Sequence, residues 1–232
     1  MDFRGRHVVI TGGTGALGGA VVSGLIAAGA TCHVPYLHAA EAEHFPPRAH
    51  AQVKLIAAGD LADEAVVARL YAAVPSPWAA IHLAGGFAPG TVADTGKDDL
   101  MHQLNGNFVS CFLCCRAAVN AMRPSDGGRI VNVAARPALE WRSGASMAAY
   151  AASKAAVAAM TAALAEEVAA KNILVNAVVP SIMDTPANRK AMPKANFDAW
   201  PKVEEVAATI LFLASPDNKV TRGALVPVYG RS

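Results

Sequence analysis

Short apolar runs rich in β-branched residues alternate along the chain with longer segments rich in alanine and leucine. The runs are as long as strands, and their continuous apolar character is typical of strands buried on both faces. Strands that alternate with helices predict a parallel sheet covered by helices on both faces. The apolar runs are residues 7–11, 30–35, 53–58, 79–84, 129–134, 173–179 and 225–228.

Helices are expected between these runs, near residues 16–28, 62–74, 97–122, 147–170 and 203–214. Seven strands joined by right-handed crossovers form a doubly wound, Rossmann-like sheet. A chain of 232 residues is long enough for one such domain, and its sequence contains no repeat or low-complexity linker. We therefore predict a single α/β domain over residues 1–232 with a seven-stranded parallel sheet.

The net charge and the apolar stretches argue against nucleic-acid-binding, secreted and membrane proteins. A net charge of +2 without a run of lysine and arginine argues against a nucleic-acid partner. The first residues lead straight into an apolar strand, as a signal peptide would not. Residues 147–165 come nearest to the roughly 18 to 20 charge-free apolar residues of a membrane span, but they contain Lys154. We expect a cytoplasmic protein that contacts no membrane.

The four cysteines are Cys32, Cys111, Cys114 and Cys115, and the last three share one helix face. Such spacing suggests half of a metal or redox site. No second pair of cysteine or histidine residues at ligand spacing accompanies it. We therefore predict buried apolar side chains and no metal site.

The loop after the first strand points to a phosphate-containing ligand. In a doubly wound sheet, ligands bind at the carboxyl ends of the strands, near the switch in strand order. Gly12 permits a tight turn, Gly15 lets backbone amides approach a pyrophosphate, and Gly18 lets the following helix pack closely. The N-terminus of that helix offers unpaired N–H groups to an anion. The loop predicts binding of NAD or NADP through Gly12, Thr14, Gly15, Ala16, Leu17 and Gly18.

The ends of the next three strands leave alternatives open. Residues 32–38 contain neither a carboxylate for a ribose nor an arginine for a 2′-phosphate, so the choice between NADH and NADPH stays open. Asp60 and Leu61 follow the third strand, where the carboxylate either contacts the adenine or caps the next helix. The backbone after the fourth strand either passes close to the cofactor or makes a turn. The residues at that place are Ala84, Gly85 and Gly86.

Tyr150 and Lys154 lie four residues apart, on one face of a predicted helix. A free tyrosine has a pKa near about 10, which makes it a poor acid–base catalyst at neutral pH. A lysine ammonium beside it would favour the phenolate and lower that pKa. We therefore predict that the two residues form a catalytic pair and that Lys154 also holds the nicotinamide ribose.

These motifs together resemble the short-chain dehydrogenase/reductase family over nearly the whole chain. The resemblance rests on the glycine loop, Ala84-Gly85, Asn107, Tyr150-x-x-x-Lys154 and residues 180–185, in that order. It implies that Tyr150 is the general acid/base, and that Asn107, or else Asn105, belongs to a proton relay. It also implies a homodimer or homotetramer. The further cofactor contacts that it implies are Pro180, Ile182 and Thr185, the last of these at the nicotinamide carboxamide.

Ala135 departs from the family pattern. Family members usually end the fifth strand with a serine that donates a hydrogen bond to the substrate carbonyl, which alanine cannot do. Ser143 or Ser146 would have to swing in as a substitute; otherwise both lie in the loop or cap the next helix. Alanine also stands at position 16, where most small members have glycine.

The dihydropteridine reductase branch of the family has alanine in place of that serine, and other segments here resemble it. The clearest is residues 184–200, within a predicted substrate lid over residues 181–202. Against this branch, Pro35 or Tyr36 stands where its aspartate follows the second strand. The predicted substrate contacts are Phe87, Ala135, Arg189 and Trp200.

These features predict a reductase that transfers hydride from NADH or NADPH to a small, planar substrate. A quinonoid dihydropterin is the leading candidate, because it is already electrophilic and needs no polarised carbonyl. One alternative is an ordinary carbonyl or 3-oxoacyl reductase that uses a substitute for the missing serine. Another is a redox sensor that binds the dinucleotide without turnover.

Overall fold

A parallel sheet forms the centre of the computed structural model, which describes residues 1–123 and 125–232. Its strands are β1 His7–Thr11, β2 Thr31–Tyr36, β3 Val53–Ala57, β4 Ala79–His82, β5 Gly128–Val133, β6 Ile173–Pro180 and β7 Leu225–Val228. They are ordered β3-β2-β1-β4-β5-β6-β7, and every neighbouring pair is parallel. The predicted single-domain, seven-stranded Rossmann-like fold is confirmed.

Helices cover both faces of this sheet. They are α1 Ala16–Ala27, α2 Ala39–Glu43, α3 Glu64–Ala72, α4 Lys97–Leu104, α5 Ser110–Ala121, α6 Ala148–Glu167, α7 Pro186–Ala191 and α8 Val203–Ala214. Successive strand residues point to opposite faces. Val8 and Ile10 therefore pack in one apolar cluster with residues of α1 and α8, whereas Val9 packs in a second cluster with residues of α3, α5 and α6.

The strand order reverses at β1, which pairs with β2 on one side and with β4 on the other. The chain winds outward from this point in both directions, so the loops after β1 and β4 diverge at the carboxyl edge of the sheet. A crevice at such a point is where open α/β sheets bind their ligands.

The predicted strands match the observed ones to within two residues at each end. The predicted helix over residues 97–122 is divided into α4, a π-helix at Asn105–Val109, and α5. The short helices α2 and α7 were not predicted, because five or six residues are too few to show a helical period.

Helix α6 is long and apolar enough, by length and composition alone, to span a membrane. In the fold it packs against β6, and its buried residues include the polar Ser153, Lys154 and Thr161. One face of the helix therefore packs in the core, and its first turns also line a cavity at the carboxyl edge of the sheet.

Asn176 of β6 forms hydrogen bonds with the segment that leads into the edge strand β7. The side chain is fully buried; its Nδ2 donates to the Thr221 carbonyl at 2.8 Å, and its Oδ1 accepts from the Ala224 N–H at 3.0 Å. A backbone N–H that has lost its acceptor in the interior carries an appreciable penalty in free energy.

Replacing Asn176 by Ala is expected to lower the free energy of unfolding by about 2 kcal/mol, because the Ala224 N–H loses its acceptor. The measurement is urea denaturation followed by circular dichroism. The matched control is Asn120→Ala, which removes an exposed asparagine on α5 and should change stability by less than about 0.5 kcal/mol. Equal effects of the two variants would contradict the assigned role of Asn176.

Candidate active site

A cavity of about 620 Å³ opens at the carboxyl edge of the sheet, where β1, β4, β5 and β6 end. Its walls come from the glycine loop, the turns after β4 and β5, the start of α6 and the segment after β6. Most of the residues predicted from the sequence meet there. Those that line the cavity are Gly12, Gly15, Ala16, Leu17, Gly18, Gly85, Gly86, Phe87, Asn107, Ala135, Tyr150, Lys154, Pro180, Ile182 and Thr185.

The glycine loop packs closely against neighbouring backbone at two of its glycines and leaves open space at a third. Gly12 has a φ of +66°, and a Cβ there would lie 2.7 Å from the Ala84 nitrogen. A Cβ on Gly18 would collide with the Gly12 carbonyl. At Gly15 a Cβ would meet only that carbonyl, at 3.4 Å, and would otherwise project into open space. Gly15 therefore leaves room for a ligand beside the cavity.

The cavity fits a dinucleotide. Gly15 is the N-cap of α1, and no side chain of the described residues caps this helix. The free N–H groups of the first turn carry the positive end of the helix dipole, which suits a pyrophosphate. The volume lies within the range of roughly 300–1,000 Å³ that is usual for cofactor and ligand sites. Lys154 and Thr185 line the part of the wall formed by α6 and the segment after β6.

Tyr150 lies in the first turn of α6 and is half-buried. The ring of Phe87 meets it edge to face, with 5.0 Å between ring centroids. In residues 1–123 and 125–232, no group forms a hydrogen bond with the Tyr150 hydroxyl, and this hydroxyl is accessible to solvent. The hydroxyl is therefore free to bond a ligand in the cavity.

The pKa of Tyr150 differs from the prediction. Lys154 was expected to lower it, but burial against the cavity wall raises the pKa of Tyr150 to about 12. Desolvation is the cause of this shift. The Lys154 Nζ donates to the Val133 carbonyl and forms no hydrogen bond with the Tyr150 hydroxyl in the described residues. The phenol therefore keeps its proton at neutral pH.

Lys154 is buried beneath the cavity, with 7% of its surface exposed. Its Nζ donates to the carbonyl of Val133, the last residue of β5, at 2.9 Å. Burial lowers the pKa of Lys154 to about 8, and the nearby Cys111 opposes part of that shift. The ammonium form thus predominates at neutral pH and is lost in mildly alkaline solution.

Asn107 is placed at the site by the π-helix, whose widened turn is typical of functional sites. Its Oδ1 accepts from the Gly86 N–H at 3.1 Å, and its Nδ2 donates to the Gly86 carbonyl at 3.0 Å. A Cβ on Gly85 would collide with that Oδ1. Asn105 is exposed, so Asn107 is the asparagine that reaches the site. It holds the turn after β4; its predicted place in a proton relay stays a prediction.

Ala135 lines the cavity with only 5% of its surface exposed, so this part of the wall carries no hydroxyl. Of the two substitutes considered, Ser143 lines the cavity and Ser146 does not, among the residues described. The Ser143 hydroxyl donates to the Glu140 carbonyl at 2.7 Å, so its proton is already engaged.

The comparisons with known proteins agree with this geometry. The family model described as short chain dehydrogenase matches residues 6–196. The chain belongs to the short chain dehydrogenase family. Its membership confirms the predicted family and the predicted enzyme class, an oxidoreductase that uses NAD or NADP.

Individual members of the family resemble the chain to different extents. The 3beta-hydroxysteroid dehydrogenase of Mediterraneibacter gnavus is 36% identical over 118 residues, which cover 51% of this chain and only 40% of that protein. The 3-oxoacyl-(acyl-carrier-protein) reductase of Pseudomonas aeruginosa is 27% identical over 99% of this chain and 98% of that protein. A blue fluorescent protein from a metagenomic library, solved in complex with NADPH, is 27% identical, with a TM-score of 0.88 over 99% of this chain and 98% of that chain.

Four residues predicted to contact the cofactor lie outside the cavity lining of this short-chain dehydrogenase. The Asp60 carboxylate is exposed and accepts from the Ala62 N–H at 2.9 Å, whereas the N-cap of α3 is Asp63. Leu61 packs against the core. The Ala84 N–H donates to the Thr11 hydroxyl at 3.3 Å. The fourth is Thr14.

Arg189 and Trp200, predicted as substrate contacts, do not line the cavity. Arg189 is exposed; it forms a bidentate pair with Asp184 at 2.6 and 2.8 Å, and it stacks on Phe197. Trp200 is buried and packs on the same ring, with centroids 5.1 Å apart. Both side chains hold the segment 184–200 together, which linear spacing could not show.

Several lining residues were missed. Met147 lies three residues before Tyr150, a helical spacing that could have revealed it, and Asn188 and Met192 share one face at four-residue spacing. Arg136 follows Ala135 directly, and its Nε donates to Glu140 at 2.7 Å. Further missed residues are Leu83, Val133, Ala134, Pro137, Ser181, Met183 and Ser232.

The cysteines are buried, as predicted, but two of them meet a histidine. The ligand atoms of His82, Cys111 and Cys115 lie within 4.8 Å of one another. The Asn132 Oδ1 lies between them, 2.9 Å from His82 Nδ1 and 3.4 Å from each sulfur. Tyr71 completes the set through its hydroxyl, 3.1 Å from His82 Nε2. The amide oxygen thus fills the centre of this cluster, one strand residue before Val133.

The depressed pKa of Lys154 makes stability depend on pH. Between about pH 8 and 10.5 the unfolded chain holds a proton on this lysine that the folded chain has lost, so folding becomes more favourable as pH rises. Relative to Lys154→Met, the wild-type free energy of unfolding should rise by about 2 kcal/mol from pH 8 to pH 10.

Urea denaturation at a series of pH values measures this difference. The control Lys171→Met removes an exposed lysine and should keep the wild-type slope. Parallel curves for the wild type and Lys154→Met would show that the lysine is not desolvated in the folded protein.

Proposed function

We propose that this short-chain dehydrogenase reduces a small, flat substrate with NADH or NADPH, and that Tyr150 supplies the proton. The observation that carries the proposal is the Tyr150 hydroxyl. It opens onto the cavity without a partner in the described residues, and it stays protonated at neutral pH because burial raises its pKa to about 12. A phenol in that state acts as a general acid, which is the role that reduction requires.

The reduced nicotinamide, when bound, supplies the hydride. Lys154 has three N–H bonds, and Val133 takes one of them, which leaves two for ribose hydroxyls beside the cavity. The same ammonium offsets negative charge that develops on the Tyr150 oxygen as the proton leaves. Lys154 therefore serves both to hold the cofactor and to ease proton delivery.

The alanine at position 135 in the cavity wall favours a substrate that needs no hydrogen bond from a serine. An ordinary carbonyl must be polarised before it accepts hydride, and preorganised donors supply that polarisation. A quinonoid dihydropterin is already electron-poor and needs only hydride and a proton. We propose it as the leading substrate, because the alanine removes the donor that a carbonyl would use.

Apolar side chains in the cavity that contains Tyr150 favour a substrate with a flat ring. Phe87 meets the Tyr150 ring edge to face. Met147 lines the same cavity, and Ile182 and Met192 contribute to it from the segment after β6. Arg136 adds a charged group to this wall. Planar heteroaromatic rings are held by such a combination of apolar faces and a few polar contacts.

An ordinary carbonyl or 3-oxoacyl reductase is the second candidate. It is favoured by Ser143, which reaches the cavity wall, and by the relative from Pseudomonas aeruginosa that carries the 3-oxoacyl reductase name. The serine would have to give up its bond to the Glu140 carbonyl in order to donate to a substrate.

Replacing Tyr150 by Phe is expected to lower turnover at least about 100-fold, because the proton donor is lost. The ring contact with Phe87 remains, so the Kd for NADH should change less than about twofold. Stopped-flow kinetics and calorimetric titration provide the two readouts. Tyr229→Phe is the control, since it removes a tyrosine hydroxyl from a residue that does not line the cavity. A Tyr150→Phe variant with retained turnover would refute the proton-donor role.

The substrate is tested with a quinonoid dihydropterin and an acetoacetyl thioester, each with NADH and with NADPH. The pterin should turn over and the thioester should not. Ser143→Ala should leave pterin turnover unchanged, and Ala135→Ser should raise thioester turnover by restoring the donor. Reduction of the thioester alone, abolished by Ser143→Ala, would establish the second candidate. If neither substrate reacts while NADH raises the melting temperature, both proposed substrates are wrong and a redox sensor that binds the dinucleotide is favoured.

A further inference from the structure

Residues 32–38 contain no carboxylate, but the next helix, α2, carries one that reaches the glycine loop. β2 ends at Tyr36, and Leu37 and His38 follow before α2 begins. Glu41 of α2 turns back to the glycine loop, where the Thr14 hydroxyl donates to its Oε2 at 3.2 Å. Both side chains are half-buried. This contact joins two segments that are 27 residues apart, and it fixes a carboxylate beside the loop.

The position of this carboxylate is close to where an adenosine ribose binds. The glycine loop lies directly on β2, since a Cβ on Gly13 would come 2.8 Å from a methyl carbon of Val34. Thr14 is the next residue, and Gly15 after it lines the cavity and caps α1. With the pyrophosphate on the N-terminus of that helix, the adenosine ribose lies at the carboxyl end of the second strand.

The charges near this point discriminate between the two cofactors. A carboxylate accepts a hydrogen bond from a ribose 2′-hydroxyl and repels a 2′-phosphate. Neither the glycine loop, residues 11–19, nor the segment 31–43 contains a lysine or arginine that would attract the phosphate. The negative charge of Glu41 is therefore not balanced from either segment.

We propose that Glu41, held by Thr14, selects NADH over NADPH by binding the 2′-hydroxyl of the adenosine ribose. Glu41 thus takes the place of the acidic residue that many NAD-binding sheets carry at the end of the second strand itself. The proposal rests on dinucleotide binding in the cavity and is independent of which substrate is reduced.

Calorimetric titration of the full-length chain with NADH and NADPH at pH 8, where free histidines are neutral, tests the proposal. The wild type should bind NADH at least tenfold more tightly than NADPH. Glu41→Gln keeps an acceptor for Thr14 and removes the charge, so NADPH binding should improve about tenfold while NADH binding changes less than threefold. Glu41→Lys should invert the preference.

The control is Glu43→Gln, which removes an exposed carboxylate from the same helix. It should leave the ratio of the two Kd values unchanged. Equal or tighter binding of NADPH by the wild type, or an unchanged ratio in Glu41→Gln, would overturn the role of Glu41. Failure of both cofactors to bind would overturn the dinucleotide site as well, whereas failure of the substrate assays above would leave the ratio intact.

Discussion

The burial of the Lys154 ammonium at the end of β5 constrains most of the active site. A charged group under the cavity needs an acceptor and close neighbours, and the Val133 carbonyl provides the acceptor. The space around the Nζ is tight: a Cβ on Gly85 would lie 3.4 Å from it and would collide with Asn107. The Lys154 Nζ is thus enclosed by the ends of β4 and β5, the π-helix and α6.

Beneath this lysine lies a second polar layer. Asn132, one residue before Val133 in β5, joins His82, Cys111 and Cys115 through one amide oxygen and reaches Thr161 of α6 through its Nδ2 at 2.9 Å. In the described residues, every buried side-chain nitrogen and oxygen has a partner. Satisfied networks of this kind rigidify a core. The core next to Val133 and Lys154, which line the cavity, is therefore held rigid.

The sequence was most informative where chemistry depends on local spacing. The apolar runs located the strands, the glycine loop located the start of α1, and the four-residue spacing placed Tyr150 with Lys154. The sequence was least informative where a side chain's direction depends on distant contacts. Arg189 and Trp200 turn towards their own segment, and Asp60 bonds the turn before α3. The raised pKa of Tyr150 depends on burial, which spacing does not reveal.

The segment after β6 has its two ends joined. The Asp184 N–H donates to the Pro201 carbonyl at 2.9 Å, the Asp184–Arg189 pair and the Phe197–Trp200 contact lie inside the loop, and the Arg231 N–H donates to the Ala199 carbonyl. Most of these contacts lie within the segment, and the last one joins it to the C-terminal residues and not to a strand. Asn188 and Met192, two residues of this segment that line the cavity, therefore lie in a part of the fold whose hydrogen bonds are largely separate from those of the sheet. The part of the cavity wall that this segment forms can thus vary in sequence without loss of the hydrogen bonds that pair the strands.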